Sequence, residues 1–285
     1  MGKSINLELL ICPHCKSKFE IKNQNKISCI QCKAEYSYEN NKPVFKKFSN
    51  ENITDDFDKL KAMFKRWPKL YQLIIDIISP VFLQLKLKRF IKENFDSNTI
   101  AINVGSGNSN ISDNIINIDI FPYENVNMCC DIENIPIADA SIDVVINIAV
   151  LEHIMNPEKV VGEIYRILKK GGTVFTYFPF IQPFHASPYD FSRRTIEGLK
   201  ILHKQFEINK IYVGAGPTSG FLWIFQEWIS LILSFGIKKI HHYVYLLIMI
   251  VTFPLKFLDL LLSKYPNSHN ISSGFIIIAR KNDTI

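Results

Sequence analysis

The 285-residue sequence lacks a hydrophobic run that is long enough to cross a bilayer as one unbroken helix. A spanning helix needs about 20 predominantly apolar residues. The best run, residues 243–255, has thirteen, includes Pro254, and is followed by Lys256 and Asp259. The first apolar stretch, LELLI, is also too short for a signal peptide. We therefore expect a cytoplasmic chain, either free in solution or peripheral on the inner face of the membrane.

Acidic residues outnumber basic ones in only one part of the chain. The formal net charge is +6, but residues 97–180 carry ten Asp and Glu against four Lys and Arg, whereas residues 1–49 carry nine Lys against four Glu. The acidic middle excludes a nucleic-acid-binding surface there. The basic ends are able to contact a polyanion or an anionic membrane.

Glycine is sparse where a nucleotide site would begin. The stretch AINVGSGNSNISDNIINIDIF, residues 101–121, reads as a buried strand, a glycine turn and a second strand that ends in an acid. A dinucleotide fingerprint needs three glycines, an acid about 20 residues on, and a helix whose N-terminus binds the pyrophosphate. Here only Gly105 and Gly107 are present, and Asp119 follows Gly107 by twelve residues. The crossover is too short for a dinucleotide, but it suits S-adenosylmethionine, a nucleoside without phosphates.

Cysteine occurs in pairs near the start of the chain. Cys12 and Cys15, then Cys29 and Cys32, form two C-x2-C pairs separated by thirteen residues. Four thiolates without an open position are typical of a structural zinc site. A region of about 45 residues has only a small core, so the metal would supply much of its folding free energy. We predict a zinc ribbon over residues 1–49, with free or redox-active cysteines as the alternative.

The middle of the chain alternates apolar strands with a helix, which indicates an α/β fold. Five strands are predicted: TIAINV, IINIDI, VNMCCDI, SIDVVINI and TVFTYF. The segment NPEKVVGEIYRILKKGG is predicted as a helix with Asn156 as its N-cap, Pro157 at its first position and Gly171 at its end. We expect a Rossmann-like, doubly wound, mostly parallel seven-stranded sheet within residues 97–285, preceded by a helical linker in residues 50–96.

Glycines and polar side chains fall at the carboxyl ends of these strands, where ligands bind in doubly wound sheets. The glycine turn follows the first strand, Asp119 ends the second, Asp131 the third and Asn147 the fourth. S-adenosylmethionine requires room beside a glycine turn, an acid for its ribose hydroxyls, and an acid or amide for its adenine amino group. These residues supply those groups. The alternative is that the two Asp residues only cap loops.

The sequence resembles class I S-adenosylmethionine-dependent methyltransferases, specifically the broad group with an LEH turn after the fourth strand. The motif INVGSG, the continuous stretch from NIDIF to GGTVF, and the loop PFIQPFHASPYDFSRRT match that group. The resemblance covers roughly residues 97–215 and 272–281. It implies a methyltransferase domain, with residues 221–262 as an insertion.

The resemblance also implies which residues contact each part of the cofactor. Asp119 would hold the ribose, and Asp131 with the backbone of Ile132 would frame the adenine. Asn103 stands where many members have an acid that helps to hold the ammonium group, and Ser109 stands where a third glycine is common. The methionine part would be lined by Gly105, Ser106 and Gly107.

Two histidines are candidates for proton transfer. In the resembling enzymes the LEH turn, here with His153, lies close to the donor methyl, and its histidine is sometimes a base; the alternative is a histidine that hydrogen-bonds the loop. His185 lies in a proline-stiffened loop after the fifth strand and suits deprotonation of a hydroxyl acceptor, with Asp190 to orient it. Methyl transfer also succeeds by positioning alone. Arg193 and Arg194 either bind an anionic acceptor or are one solvated and one salt-bridged residue of a helix start.

The insertion at residues 221–262 exceeds what a methyltransferase core requires. Lys256 and Asp259 lie on one side of a predicted helix, and Gln226 and Ser230 lie on one side of another. A lipid-surrounded span would not tolerate such polar sides cheaply. We expect two helices against the enzyme body, near the PFHASPYDF loop, with their apolar sides toward a bilayer surface or a second subunit. Two further arrangements stay open: a lid over the substrate cleft and a true membrane span.

Together these patterns predict an enzyme that transfers a methyl group to an oxygen or nitrogen of a small-molecule or glycan acceptor, such as a lipid-linked sugar at the membrane face. The enzymatic alternative is a tRNA or rRNA methyltransferase, because the first 45 residues resemble small zinc-ribbon partners of tRNA and protein methyltransferases. Scattered lysines and few aromatics in the ribbon make nucleic acid the less favoured partner. A binding module that keeps the fold without the cofactor is the non-catalytic alternative, and a homodimer is an open possibility.

Overall fold

A computed structural model of the chain describes residues 5–39, 42–46, 83–186 and 189–282. The helices predicted within residues 50–82, and Pro188 of the loop after the fifth predicted strand, lie outside the described residues.

Eleven strands in the described residues form one sheet. They are β1 Phe19–Asn23, β2 Lys26–Cys29, β3 Glu35–Glu39, β4 Lys42–Val44, β5 Ala101–Val104, β6 Ile115–Asp119, β7 Met128–Cys129, β8 Ile142–Ile148, β9 Leu168–Pro179, β10 Glu207–Ala215 and β11 Gly274–Arg280. Their order across the sheet is β1-β2-β3-β4-β7-β6-β5-β8-β9-β11-β10.

Six α-helices and four short 3-10 helices connect or flank these strands in the described ranges. The α-helices are α1 Leu83–Asn94, α2 Pro157–Ile167, α3 Ile196–Leu202, α4 Pro217–Ser234, α5 Lys238–Thr252 and α6 Asp259–Leu262. The 3-10 helices are Leu7–Leu9, Leu151–His153, Phe253–Leu258 and Ser268–Ile271.

The centre of the sheet is parallel. Strands β7, β6, β5, β8 and β9 pair in parallel, and β11 then pairs antiparallel with both β9 and β10. All residues of β5 and β6 are buried, as expected for strands covered on both faces. The chain order reverses between β5 and β8, so a ligand crevice is expected beyond the carboxyl ends of these two strands. All five strands predicted from the sequence are present.

Helix α2 follows the predicted pattern at its start but ends early. Pro157 occupies its first turn, and its buried residues are Pro157, Val160, Val161, Ile164 and Ile167. Two details differ from the prediction. Asn156 precedes the helix without a side-chain capping hydrogen bond, and the chain becomes extended at Leu168, before Gly171. Gly171 instead adopts φ +72° within β9, and its N–H donates to the Lys281 carbonyl.

The N-terminal segment continues the central sheet instead of forming a separate body. Val44 of β4 pairs in parallel with Cys129 of β7, so the sheet has eleven strands where the sequence predicted a seven-stranded sheet preceded by a ribbon. Leu10, Phe19 and Ile27 are buried in the same apolar cluster as the central strands. The backbone N–H of Ala138 also donates to the Leu9 carbonyl at 2.8 Å.

Helices α4 and α5 form a hairpin between β10 and β11, at the other end of the sheet. The hairpin begins at Pro217, four residues before the predicted insertion. Gly216 is the N-cap of α4, and a Cβ added there would lie 2.3 Å from the Asp259 carboxyl carbon. Only glycine therefore lets the segment that follows α5 pack against the start of α4.

Candidate active site

The turn after β5 has the geometry of a ligand-binding glycine turn. Gly105 and Gly107 adopt φ +70° and +54°, which favours glycine. The N–H groups of Gly105 and Ser106 both donate to the Ile118 carbonyl, at 2.9 and 3.1 Å. A Cβ at Gly107 would meet no atom within 4 Å, so its backbone is open to close approach by a ligand. These properties fit the methionine-lining role that the resemblance implies for this turn.

Asp119 closes this turn from the end of β6. One carboxylate oxygen, Oδ2, accepts the N–H of Gly107 at 2.7 Å, and Oδ1 accepts the N–H of Phe121 at 2.9 Å. The residue is only 6% exposed, and burial raises the pKa of its carboxyl. Asp119 therefore holds the shape of the glycine turn. Its predicted contact with the ribose stays a prediction.

Asp131 joins the ribbon to the edge of the cofactor crevice. Its Oδ2 lies 2.7 Å from the ammonium nitrogen of Lys46, and its Oδ1 accepts the N–H of Glu133 at 2.9 Å. Burial opposes the charged form, but these two partners outweigh it and lower the pKa of Asp131. The neighbouring Ile132 is buried. Their predicted adenine contact also stays a prediction.

The two predicted asparagine sites are buried within the sheet. Asn103 is 2% exposed, and its amide donates to Asn117 Oδ1 at 3.1 Å. Asn147 donates to the Val104 carbonyl at 3.1 Å, while its Oδ1 has no hydrogen-bond partner among the described residues. Asn147 therefore retains an unused acceptor at the carboxyl end of β8. Asn103 is already engaged in the interior.

The loop after β8 packs directly onto the glycine turn. A Cβ on Gly105 would lie 2.4 Å from Cγ1 of Val150, and Val150 immediately precedes the 3-10 helix Leu151–His153. This contact brings Glu152 and His153 next to the turn that would hold the methionine part of the cofactor. Gly105 is required both for its positive φ and for this approach.

A cluster of titratable side chains lies at this position. One ligand-type atom from each of Glu152, His153 and His185 lies within 4.8 Å of the other two, and the two imidazole rings meet edge to face with centroids 5.2 Å apart. His153 Nδ1 contacts the Tyr189 carbonyl, and His185 Nδ1 lies 3.0 Å from the Pro183 carbonyl. A carbonyl only accepts, so the contact of His153 favours the tautomer that carries the proton on Nδ1 and leaves its Nε2 as the proton acceptor. His185 Nδ1 also lies 3.1 Å from Arg193 Nη2, which only donates, so this nitrogen of His185 faces both a donor and an acceptor.

Glu152 is the residue of this cluster that the predicted site residues did not include. It is fully buried, and neither carboxyl oxygen has a hydrogen-bond partner in the described parts of the chain. Burial raises the pKa of Glu152 to about 8, so the carboxyl is protonated near neutral pH. Burial also disfavours the charged form of His153, and for a histidine this lowers the pKa. The signal in the sequence was the LEH turn itself, in which only the histidine was assigned a role.

Asp190 and the two arginines are held by ion pairs. The Asp190 carboxylate contacts both terminal nitrogens of Arg193 and accepts the backbone N–H of His185 at 2.8 Å. Arg194 donates to Glu158 Oε1 at 2.7 Å. The alternative in which one of the two arginines is solvated is wrong, because each is paired and each side chain is only 21% exposed. Asp190 orients His185 through its backbone.

The four N-terminal cysteines come together as predicted. Cys12 Sγ lies 3.6 Å from Cys32 Sγ, Cys15 Sγ lies 3.3 Å from Cys29 Sγ, and all four sulfurs lie within 4.8 Å of one another. A tetrahedral site with metal–sulfur distances of about 2.3 Å requires sulfur separations of this size. The residue after each pair, Lys16 or Lys33, has a positive φ. Both knuckles therefore have the same turn, and the donor set fits zinc.

Comparison with known proteins assigns the central region. Residues 94–176 match the family described as "Methyltransferase domain", which includes the glycine turn, Asp119, Asp131 and the LEH turn. No curated protein matches the sequence.

Several solved structures are similar in fold. The [4+2]-cyclase SpnF matches with a TM-score of 0.43 and 15% identity, covering 69% of this chain and 80% of that one. Phosphoethanolamine N-methyltransferase 2 of Haemonchus contortus matches with a TM-score of 0.43 and 16% identity, covering 70% and 52%. A complex that contains the Haloferax volcanii Trm112 methyltransferase activator has a TM-score of 0.48 and 12% identity, covering 81% and 100%.

None of these TM-scores reaches 0.5, so the assignment rests on the matched domain. The strand order of residues 101–280, the open glycine turn and the acid that closes it agree with that match. Residues 94–176 match a methyltransferase domain, and this match supports an S-adenosylmethionine-dependent methyltransferase of class I.

Proposed function

We propose that the enzyme methylates an oxygen or nitrogen atom of a small-molecule or glycan acceptor, and that His185 accepts the proton that the acceptor releases. The observation that carries this proposal is the contact between Val150 and Gly105, because it brings the histidine cluster next to the glycine turn. When bound, S-adenosylmethionine supplies an activated methyl group on a sulfonium. The residues proposed to hold it are Gly105, Ser106, Gly107, Asp119, Asp131 and Ile132, with Asn147 at the end of β8.

The role of His185 follows from its exposure and its contacts. Its side chain is 43% exposed, whereas that of His153 is 15% exposed, so an acceptor is able to reach His185 more easily. In the reaction, the acceptor atom bonds to the methyl carbon as the carbon–sulfur bond breaks, and S-adenosylhomocysteine results. The acceptor proton passes to the imidazole of His185. Glu152, kept neutral by burial, adds no negative charge to the histidine cluster.

A glycan or lipid-linked precursor is the proposed acceptor class. The loop that carries His185 is tied to the chain that returns from the hairpin, since Phe180 N–H donates to the Ser273 carbonyl at 2.7 Å and Gln182 donates to Ser273 Oγ at 3.0 Å. The hairpin exposes many apolar side chains. An acceptor with a polar head and an apolar tail would use both regions.

We also propose that Cys12, Cys15, Cys29 and Cys32 hold one structural zinc ion. The proposal is supported by the sulfur separations and by the matched knuckle turns. Such a site has no open coordination position, so it would stabilise the ribbon without taking part in methyl transfer.

The test compares His185→Ala with His269→Ala, a matched control on an exposed 3-10 helix. Methyl incorporation from radiolabelled S-adenosylmethionine is measured with glycan, lipid-extract and RNA fractions as acceptors. We expect His185→Ala to lower incorporation into glycan or lipid by about 100-fold, a typical contribution of general-base catalysis. Calorimetry should show unchanged cofactor affinity.

Three outcomes would contradict the proposal. Incorporation that is destroyed by ribonuclease would indicate an RNA methyltransferase. Cofactor binding without transfer to any fraction would indicate a binding module. Equal activity of both variants would mean that positioning alone suffices and that His185 is not the base.

A further inference from the structure

The hairpin of α4 and α5 is inverted relative to the helices of a soluble domain. Gln226, Ser230 and Ser234 of α4 are at most 1% exposed, and Thr252 of α5 is 8% exposed. The Gln226 amide donates to Thr252 Oγ1 at 2.8 Å, and Ser230 Oγ donates to the Gln226 carbonyl at 2.6 Å. The polar sides of both helices therefore face inward.

The outer sides of the same helices are apolar. Their large side chains recur at spacings of three and four and are between 39% and 87% exposed. Single exposed apolar residues are ordinary, but a contiguous surface of this size marks an interaction site. This surface, called here the hairpin face, consists of Phe221, Ile224, Trp228 and Leu231 of α4, Phe235 directly after α4, and Ile240, Tyr243, Leu247, Ile250 and Val251 of α5.

The base of the hairpin is fixed to the enzyme body. The buried Asp259 carboxylate accepts the N–H of Thr218 at 2.7 Å, the N–H of Ser219 at 2.9 Å, and the Ser219 hydroxyl at 2.5 Å. It thereby caps the first turn of α4, a position that also favours a negative charge. The hairpin therefore projects from an anchored base.

The exposed charges of the hairpin are basic. Lys238 and Lys239 are exposed at the turn between the helices. Residues 217–264 contain two acids, of which Asp259 is buried and Glu227 lies 3.1 Å from His241. An apolar surface flanked by lysines matches an anionic bilayer, whose headgroups attract basic side chains. A second copy of the chain would offer the same basic surface, so charge complementarity favours the bilayer.

The anchored base argues against a helix that crosses the membrane. Among the described residues, the continuous helical stretch Lys238–Leu262 is long and apolar enough to cross by length and composition alone, which is weak evidence. The prediction that no helical stretch is long enough to cross a bilayer is therefore wrong, because α5 continues into the following 3-10 helix and α6. That stretch would place Lys256 and Asp259 in lipid, but both are buried in the protein. Helix α5 alone has 15 residues and is about 22 Å long, shorter than the hydrocarbon core of about 30 Å.

We propose that the hairpin face is a membrane-docking surface that inserts into the interfacial layer of one leaflet of an anionic bilayer. Lys238 and Lys239 then lie at the headgroups, and the buried polar side of the hairpin stays out of contact with lipid. This goes beyond the proposed function, because it depends neither on the acceptor nor on methyl transfer.

The experiment measures sedimentation of the full chain with vesicles of phosphatidylcholine alone or with added phosphatidylglycerol. We expect binding to the anionic vesicles that weakens with salt. The double variant Leu231→Glu with Leu247→Glu should lower the partition coefficient at least tenfold. Its matched control is Ile201→Glu, an apolar side chain on α3 that is 67% exposed and should bind as the unaltered chain does. The variant Lys238→Glu with Lys239→Glu should lose binding to anionic vesicles only.

A second measurement needs no destabilising change. Vesicles with brominated acyl chains should quench the fluorescence of Trp228, and Trp228→Phe should remove most of the quenching. Calorimetry with S-adenosylmethionine checks that each variant is folded, so loss of docking and loss of the enzyme fold are distinguishable. The proposal is overturned if the chain does not bind anionic vesicles, or if it stays on cell membranes after carbonate washing. It is also overturned if the chain forms a stable dimer that does not bind vesicles and that Leu231→Glu dissociates.

Discussion

The ribbon and the hairpin are additions at opposite ends of one sheet. They differ in whether their large apolar side chains are buried or exposed. The ribbon places Leu10, Phe19 and Ile27 in the common core and leaves its lysines outside. The hairpin places Gln226 and Ser230 inside and leaves its large apolar side chains outside. The first packs its apolar side chains into the core of the domain. The second leaves an apolar surface exposed.

The comparison shows that attachment differs as well as orientation. The ribbon joins the domain through strand pairing between β4 and β7 and through a shared core. The hairpin joins mainly through the start of α4, where the Asp259 carboxylate and the glycine at position 216 meet. Removing one side chain should therefore affect the hairpin more locally than removing a metal ligand affects the ribbon.

The largest effect is expected for Cys29→Ser in the ribbon. Loss of one of four thiolate ligands should release the proposed zinc ion and unfold residues 5–46 while the central sheet persists, because metal binding and folding are coupled in such small regions. Elemental analysis and hydrogen exchange measure both results. Cys129→Ser, a buried cysteine outside the four-sulfur cluster, should keep about one equivalent of zinc. Retention of the metal by Cys29→Ser would show that the ligand set is wrong.

The next effect is expected for Asp259→Ala in the hairpin. Two backbone N–H groups and a hydroxyl would lose a buried charged acceptor, which should lower the free energy of unfolding by about 3 kcal/mol. Urea denaturation gives this value, and proteolysis should cut first within residues 216–273. Glu197→Ala serves as the control and should have little effect, because the Glu197 side chain is 75% exposed. Proteolysis spread evenly over the chain would contradict a local anchor.

An effect of intermediate size is expected for Glu152→Gln at the candidate active site. This change should alter how the free energy of unfolding depends on pH. Burial raises the pKa of Glu152 in the folded protein to about 8, above its ordinary value of 4.5. The folded state then holds a proton that the unfolded state releases, so stability is lost as the pH rises from about 4.5 to 8. Glu152→Gln should remove this loss, on the order of a few kcal/mol. Urea denaturation at pH 5 and pH 8 measures it, and an unchanged pH dependence would count against a neutral carboxyl.

The smallest effect is expected for Lys46→Ala at the ribbon boundary. Lys46 pairs with Asp131 at 2.7 Å, but the lysine side chain is 58% exposed. Ion pairs of this kind contribute little, so the free energy of unfolding should fall by about 0.5 kcal/mol. Urea denaturation checks this value. A loss above about 2 kcal/mol would mean that the pair, and not the strand pairing and core, holds the ribbon in place.

The local features of this protein were predictable from sequence because their signals are local. The knuckle cysteines, the five central strands and the start of α2 each lie within a short segment with its own spacing. The pairing of Val44 with Cys129 was not predictable, because it joins segments that are far apart in the chain. Neither segment has a sequence pattern that indicates its strand partner. The end of α2 was missed because Gly171 looks like a helix stop, although it lies within β9, where the pairing of β9 with β8 is irregular.

The candidate site shows the same limit. The sequence identified the glycine turn and both histidines, but burial of Glu152 without a partner and the pairing of Arg194 with Glu158 depend on tertiary packing. For the hairpin, periodicity separated polar from apolar sides. It also predicted that the apolar sides face away from the enzyme body, and the exposed side chains of the hairpin face agree with that prediction.

The position of β11 has a consequence for the order of folding. This last strand lies between β9 and β10 in the sheet, so the strand that pairs with β10 in the described parts of the chain is available only once residues beyond 273 have been made. The hairpin is made before that strand, and pairing of β10 with β11 must close the loop that contains it. Closing a long loop is entropically costly and slow. During synthesis, the apolar hairpin would therefore emerge and be able to meet a membrane before the enzyme body is complete.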